Sequence, residues 1–155
     1  MVVLAHTTIR TEYVSPGIFG AQVMAKPIMF DPSTDTIGLS RELRAKKVPE
    51  QHDPPVPVDG VTFGVATMSE NSPHGGEMHP DGDEILYLID GRARVVFLDS
   101  AEPDVVMLPG DGMVVPKGTW HRVDILEPCQ IVYVTPGPNN EFRPLEQEDD
   151  DVGDV

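Results

Sequence analysis

Between Val61 and Val134 no apolar run goes far before a glycine, a proline or an Asp-Gly pair stops it, and that punctuation limits what the chain can build. With sixteen prolines and fourteen glycines in 155 residues, long helices have little room. Short strands do fit. Runs at 61–68, 85–89, 92–98, 105–108, 113–115, 120–126 and 130–134 follow one another at intervals of roughly 8 to 12 residues, the rhythm of an all-β sandwich or barrel. Asp90-Gly91, between the second and third runs, is a two-residue hairpin signal.

The first sixty residues are less regular. Residues 11–14 and 18–30 read as strand-like, broken by Pro16-Gly17 and Pro27. Residues 40–47 are expected to be a short helix, with Ser40 as N-cap, Leu43 at the third position after it and basic residues in the last turn. Residues 51–60 hold three prolines and read as a rigid connector. No internal repeat is visible. The expected organisation is one domain: 1–60 as N-terminal strands and connector packing on a barrel, 61–144 as the barrel core, and 145–155 as a disordered acidic tail.

Charge narrows the partners. The formal net charge is −15, with six acids and no Lys or Arg in the last eleven residues. Without that tail, 20 acids face 11 bases, so the body is still at −9. An acidic body argues against nucleic acid and anionic membrane as partners. No apolar run approaches the roughly 18 residues that span a bilayer. The start lacks a basic segment followed by a long apolar one, so it does not read as a signal peptide. A lone cysteine, Cys129, excludes an internal disulfide and reads as a small buried hydrophobe. Together these point to the cytoplasm.

The chemistry is concentrated in two blocks. Gly75-Gly76-Glu77-Met78-His79-Pro80-Asp81-Gly82-Asp83-Glu84 places Glu77, His79 and Glu84 within eight positions. Glu77 and His79 are two apart, so in an extended segment they point to one face, and Glu84 opens the next strand. Gly110-Asp111 through Pro116-Lys117-Gly118-Thr119-Trp120-His121 brings one more imidazole. Imidazole and carboxylate together suit Mn, Fe, Ni, Zn or Cu, and the lack of thiolates disfavours closed structural zinc. Glu84 opens an apolar strand, where a carboxylate needs a partner to offset its burial. Asp81 and Asp83 read as turn formers. The alternative for Glu77 is a solvated loop acid, against which stands its two-residue spacing from His79, and His74 reads as a fifth ligand, an acid/base group or a surface residue. His6 and His52 have no constellation around them. Alternation turns Trp120 and Tyr87 away from the site and leaves Leu86 and Leu88 on the face of Glu84.

These blocks resemble the two motifs of the cupin superfamily, and the chain resembles a small single-domain cupin. Gly91 stands at the family's distance from Glu84, and Gly110, Pro116, Gly118 and His121 match the second motif in spacing. The likeness covers residues 60–137 well and the first sixty loosely. Two departures stand out: the first histidine of the family's His-x-His is Glu77 here, and the closing Asn is Ile125. The first glycine of the first motif is also missing, around Asn71 and Ser72. The resemblance implies a double-stranded β-helix (the cupin jelly-roll barrel), metal ligands His79, Glu84 and His121 with Glu77 in the remaining slot, and a homodimer. A site of two His and two carboxylates is harder than one of three His, which favours Mn or Fe, with Ni or Zn as alternatives.

The leading expectation is a metal-dependent enzyme acting on a small oxygenated metabolite as a dioxygenase, isomerase or lyase, with His74 or an unligated Glu77 as base. The alternative is a non-catalytic small-molecule or sugar-binding module, and a weaker one is metal-free epimerase chemistry with His and Tyr. With neither a helix-turn-helix segment nor a basic patch, the chain does not read as a DNA-binding regulator.

Overall fold

A computed structural model describes residues 26–48 and 57–145. Among these residues the protein is all β, and no helix is long and apolar enough to cross a membrane. The N-terminal run at 11–14, the first part of the run at 18–30, most of the 51–60 connector, His6, His52 and the acidic tail beyond Leu145 lie outside the described residues, and the described part of that second run, 26–30, forms no strand.

Nine strands form the described part: β1 (Thr36–Ser40), β2 (Ala45–Val48), β3 (Gly60–Met68), β4 (Gly76–Met78), β5 (Glu84–Phe97), β6 (Val105–Met107), β7 (Gly112–Val115), β8 (His121–Gly137) and β9 (Glu141–Arg143). The sheet runs β2-β1-β3-β8-β4-β9, and β5 pairs with β6, β7 and β8. Its spine is one antiparallel ribbon, in which β5 lies along β8 from Ile85↔Val134 to Phe97↔His121. A straight strand from His121 to Thr135 would cover about 46 Å at roughly 3.3 Å per residue. Yet both residues hydrogen-bond the same carboxylate, that of Glu84. The ribbon is therefore folded back on itself, and this double-stranded helix brings its two ends together.

The crease lies at Asp90-Gly91, and there the sequence-based hairpin gives way to a continuous strand. The runs on either side of Gly91 do not pair with each other, because both find the same long partner, β8. Register slips between Leu88 and Asp90, between Asp90 and Arg92, and between Arg92 and Ala93, as a bulge requires. Gly91 has φ +79°, and a Cβ on it would stand 2.1 Å from the Pro128 carbonyl oxygen. Only glycine fits that crossing. The runs at 120–126 and 130–134 are likewise one strand, β8.

The expected helix at 40–47 is a β-hairpin instead. Leu39 pairs with Ala45 and Ile37 with Lys47, while Leu43 turns the chain at φ 59°. The segment has one large apolar side chain, Leu43, which is 77% exposed, so a helix would have no stripe to bury. Its lysines, Lys46 and Lys47, sit on the edge strand β2, where charge discourages further pairing.

Inside the ribbon, Leu86, Leu88, Val95, Met107, Val115 and Ile131 form the core with Ala93 and Cys129. Leu88 and Val95 are wholly buried. Alternation along β5 leaves Ile85, Tyr87 and Ile89 on the opposite, exposed face. The same alternation places Glu84 at the inner end of the core row, directly behind Leu86.

Candidate metal centre

Each residue of the site has a local reason for its place. Gly76, Glu77 and Met78 form β4, and Glu77 pairs directly with His121 at the start of β8. Directly opposed side chains on one face stand within about 5.5 Å of each other at Cβ. A side chain at Gly76 would meet Leu98 Cδ1 at 2.5 Å and the His121 carbonyl oxygen at 3.2 Å, so glycine lets the two strands approach without displacing Leu98. His79 follows β4 two residues after Glu77. The loop to Glu84 is fastened to the second block: Asp83 Oδ1 accepts from Lys117 N–H at 2.8 Å, and His79 O accepts from Gly118 N–H at 3.1 Å. Asp81 and Asp83 thus act as loop ties, as turn formers do. Glu84 then opens β5 opposite Val115.

The structure brings Glu77, His79, Glu84 and His121 into one group whose candidate ligand atoms all lie within 4.8 Å of one another. His79, Glu84 and His121 are buried, at 2%, 4% and 0% exposure, whereas Glu77 is half-buried. The two imidazole rings are 5.4 Å apart at their centroids. His121 Nε2 is 3.0 Å from Glu84 Oε2, His79 Nε2 is 3.4 Å from the same oxygen, and His121 Nε2 is 3.9 Å from Glu77 Oε1. Thr135 Oγ1 donates to Glu84 Oε1 at 2.5 Å.

Proton inventory follows from this geometry. His121 Nδ1 faces the Thr119 carbonyl at 3.2 Å, and a carbonyl only accepts, so Nδ1 carries a proton. An ionised Glu84 also only accepts, so the ring has an acceptor at each nitrogen, which favours the doubly protonated form of His121 in the metal-free protein. Burial works against the charge of both imidazoles, but the Glu84 hydrogen bond and charge, with Glu77 beside it, raise them above the ordinary 6.5. Burial pushes the Glu84 carboxyl up, yet hydrogen bonds from His121 and Thr135 and the nearby His79 imidazole outweigh it and hold the group at about 2. Glu77 moves the other way: burial, then repulsion from Glu84, raises it.

A divalent cation suits this donor set. Two carboxylates held this close repel each other, and protons borrowed by the imidazoles offset that charge. Neither nitrogen of the buried His79 has a well-formed hydrogen bond. A buried polar atom left in that state is costly unless something else binds it.

His74 stands outside the group of four. It is half-buried, its ring packs edge-on against Phe142 at 5.3 Å, and its Nδ1 has no hydrogen-bond partner. Phe142 is the strand partner of Glu77, so His74 stands on the half-open side of the site. Trp120 turns away from the site, under the Arg143 guanidinium at 4.0 Å. Ile125, where the family motif has Asn, packs against the core. Sequence reasoning missed Thr135, which donates to Glu84, and Asn140, whose buried Oδ1 has no hydrogen-bond partner. Nothing distinguishes Thr135 from any other strand threonine until the ribbon folds back, and Asn140 reads as part of a Pro-Asn-Asn turn.

Residues 64–135 match the cupin domain family model. No curated protein matches the chain by sequence. Among solved structures, a cupin-2 domain protein from Shewanella frigidimarina is 22% identical over 53% of this chain and 76% of that one, with a TM-score of 0.43. The DMSP lyase of Ruegeria pomeroyi is 20% identical over 60% of this chain and 48% of its own, at a TM-score of 0.48. A variant of Bacillus subtilis oxalate decarboxylase is 20% identical over 54% of this chain and 24% of its own, at 0.46. The segment that carries Glu77, His79, Glu84 and His121, residues 64–135, is a cupin domain.

Proposed function

We propose that this cupin domain holds one divalent metal ion through Glu77, His79, Glu84 and His121 and acts on a small oxygenated metabolite. The observation that carries the reading is the convergence of four candidate ligand atoms within 4.8 Å, three of them on buried residues. Two imidazoles with two carboxylates favour Mn or Fe over Ni or Zn. Such an ion would polarise a carbonyl or enolate oxygen, and iron would add redox chemistry.

The chain's own residues divide the remaining work. Thr135 and the Thr119 carbonyl hold Glu84 and His121 in orientation from outside the group. Glu77 is the least buried of the four, so a small molecule would arrive on its side. His74 stands on that side with Nδ1 unpartnered, and it is the candidate to accept or deliver a proton there. Phe142, against His74, offers an apolar contact for the ligand's body.

Elemental analysis of the purified protein tests the reading. About one equivalent of Mn or Fe per chain is the expected result. Protein that carries no metal and takes up none on addition of Mn(II) or Fe(II) defeats it. If such protein instead holds a small organic molecule in the site, the non-catalytic binding module becomes the better account.

A further inference from the structure

The last described strand, β9, lies beyond the matched segment at 64–135, yet it returns to the site. It pairs along β4, with Met78↔Glu141 and Glu77↔Phe142. Its approach is fixed by a clamp. Asp81, in the loop between His79 and Glu84, accepts from Asn139 N–H at 2.7 Å and from Asn139 Nδ2 at 3.0 Å. The next residue, Asn140, is half-buried, and its Oδ1 is buried without a hydrogen-bond partner.

His79 Nδ1 is buried and unpartnered too. The two atoms are complementary: an amide oxygen is an acceptor, and an imidazole whose Nε2 serves elsewhere carries its proton on Nδ1. His79 Nε2 is the nitrogen turned towards Glu84, at 3.4 Å, which leaves Nδ1 on the far side of the ring. Asn140 is also close enough to favour the protonated form of His79. His121 meets the same need through the backbone, its Nδ1 facing the Thr119 carbonyl. His79 Nδ1 has no such partner, and the antiparallel pairing of Met78 with Glu141 sets the neighbouring Asn140 level with His79.

The geometry points to Asn140 as the positioning residue of His79: its Oδ1 takes the Nδ1 proton and so keeps Nε2 aimed at Glu84 and His121, with the Asp81–Asn139 clamp setting its place. This deepens the metal reading and rests on it for the purpose of the aim, though not for the hydrogen bond itself. Ligating histidines are commonly fixed this way, and loss of such a partner weakens metal binding by about 10–100-fold.

Two readouts test it. In imidazole ¹⁵N spectra of the parent, His79 Nδ1 should carry a proton protected from exchange with water. Asn140→Leu should lose that protection and bind Mn(II) about 10–100-fold more weakly, while Asn140→Asp keeps both the proton and at least parental affinity. A Leu variant that retains the protected proton, or that binds Mn(II) as tightly as a metal-binding parent, overturns the assignment. If the parent binds no Mn(II), the metal reading fails, and loss of the proton in the Leu variant still upholds the Asn140–His79 bond. Should Asn140→Leu not fold, Asp81→Ala, which loosens the clamp, is expected to give the same two changes. Its failure to do so counts against the proposal.

Discussion

Glu77 retains partial exposure while its three companions are buried, and it replaces a histidine of the family pattern. Two consequences follow for variants of it. If the carboxylate is a ligand, Glu77→Ala should lose most bound metal, whereas Glu77→His should keep metal and shift its preference towards softer ions. Metal content of both variants beside the parent at neutral pH is the measurement. Equal loading of all three would make Glu77 a bystander. The metal-free Ala variant has a second signature. Burial and Glu84 together raise Glu77, so the carboxylate is a strain on the metal-free site. Its removal should leave the thermal midpoint of chelator-treated protein unchanged or higher, which separates a ligand's loss from damage to the fold.

At the scale of elements, two glycines with positive φ allow a direct contrast. Gly91 has φ +79° and meets the Pro128 carbonyl, whereas Gly118 has φ +76° with nothing within 4 Å of an added Cβ. Gly118→Ala should cost only the left-handed conformation, about 1–2 kcal/mol. Gly91→Ala must also move backbone at the crease and should cost about 3 kcal/mol or more. Denaturant midpoints at constant m-value compare them, and equal costs would mean that the crease adapts. The same crease shows where the sequence stopped being legible. Period-two alternation located the apolar runs, and the two glycine-framed blocks located Glu77, His79, Glu84 and His121. Asp90-Gly91 has identical local chemistry in a hairpin and in a bulged strand, and only the partner of the flanking runs decides between them. Residues 40–47 misled for a related reason, since Ser40 and the lysines satisfy helix-end preferences while no apolar stripe exists to hold a helix down. Thr135 was invisible because its role comes from a contact 51 residues away in sequence, and the role proposed for Asn140 depends on a return strand.

For the whole molecule, the cluster of four ties stability to pH in opposite directions. Glu84 falls to about 2 from its ordinary 4.5, so its contribution is complete above about 4.5 and is lost as pH drops towards 2. His79 and His121 are raised above 6.5, so theirs is complete below 6.5 and is lost as pH climbs through their folded values. Glu77 is also raised, so its contribution is complete below 4.5 and is lost as pH climbs above it, which draws the optimum towards the acid end of the interval between 4.5 and 6.5. Chelator-treated protein should therefore have its highest melting temperature between 4.5 and 6.5. Metal requires deprotonated imidazoles, so the melting curve of loaded protein should hold up above that window and the gap between the two forms should widen. Calorimetry across pH, with and without chelator, checks this, and a metal-free midpoint that stays flat from weakly acid to weakly alkaline pH contradicts it. The folded-back ribbon has one more effect, on the order of events as the chain folds. Glu84 meets His121 and Thr135 only by closing loops of 37 and 51 residues. Contacts that distant form slowly and late, after most of the entropy has been lost. The nascent or half-folded chain, though it already carries Glu77, His79 and Glu84 side by side, has no cage to capture an ion; the appearance of tight metal binding would then mark the moment at which folding is complete.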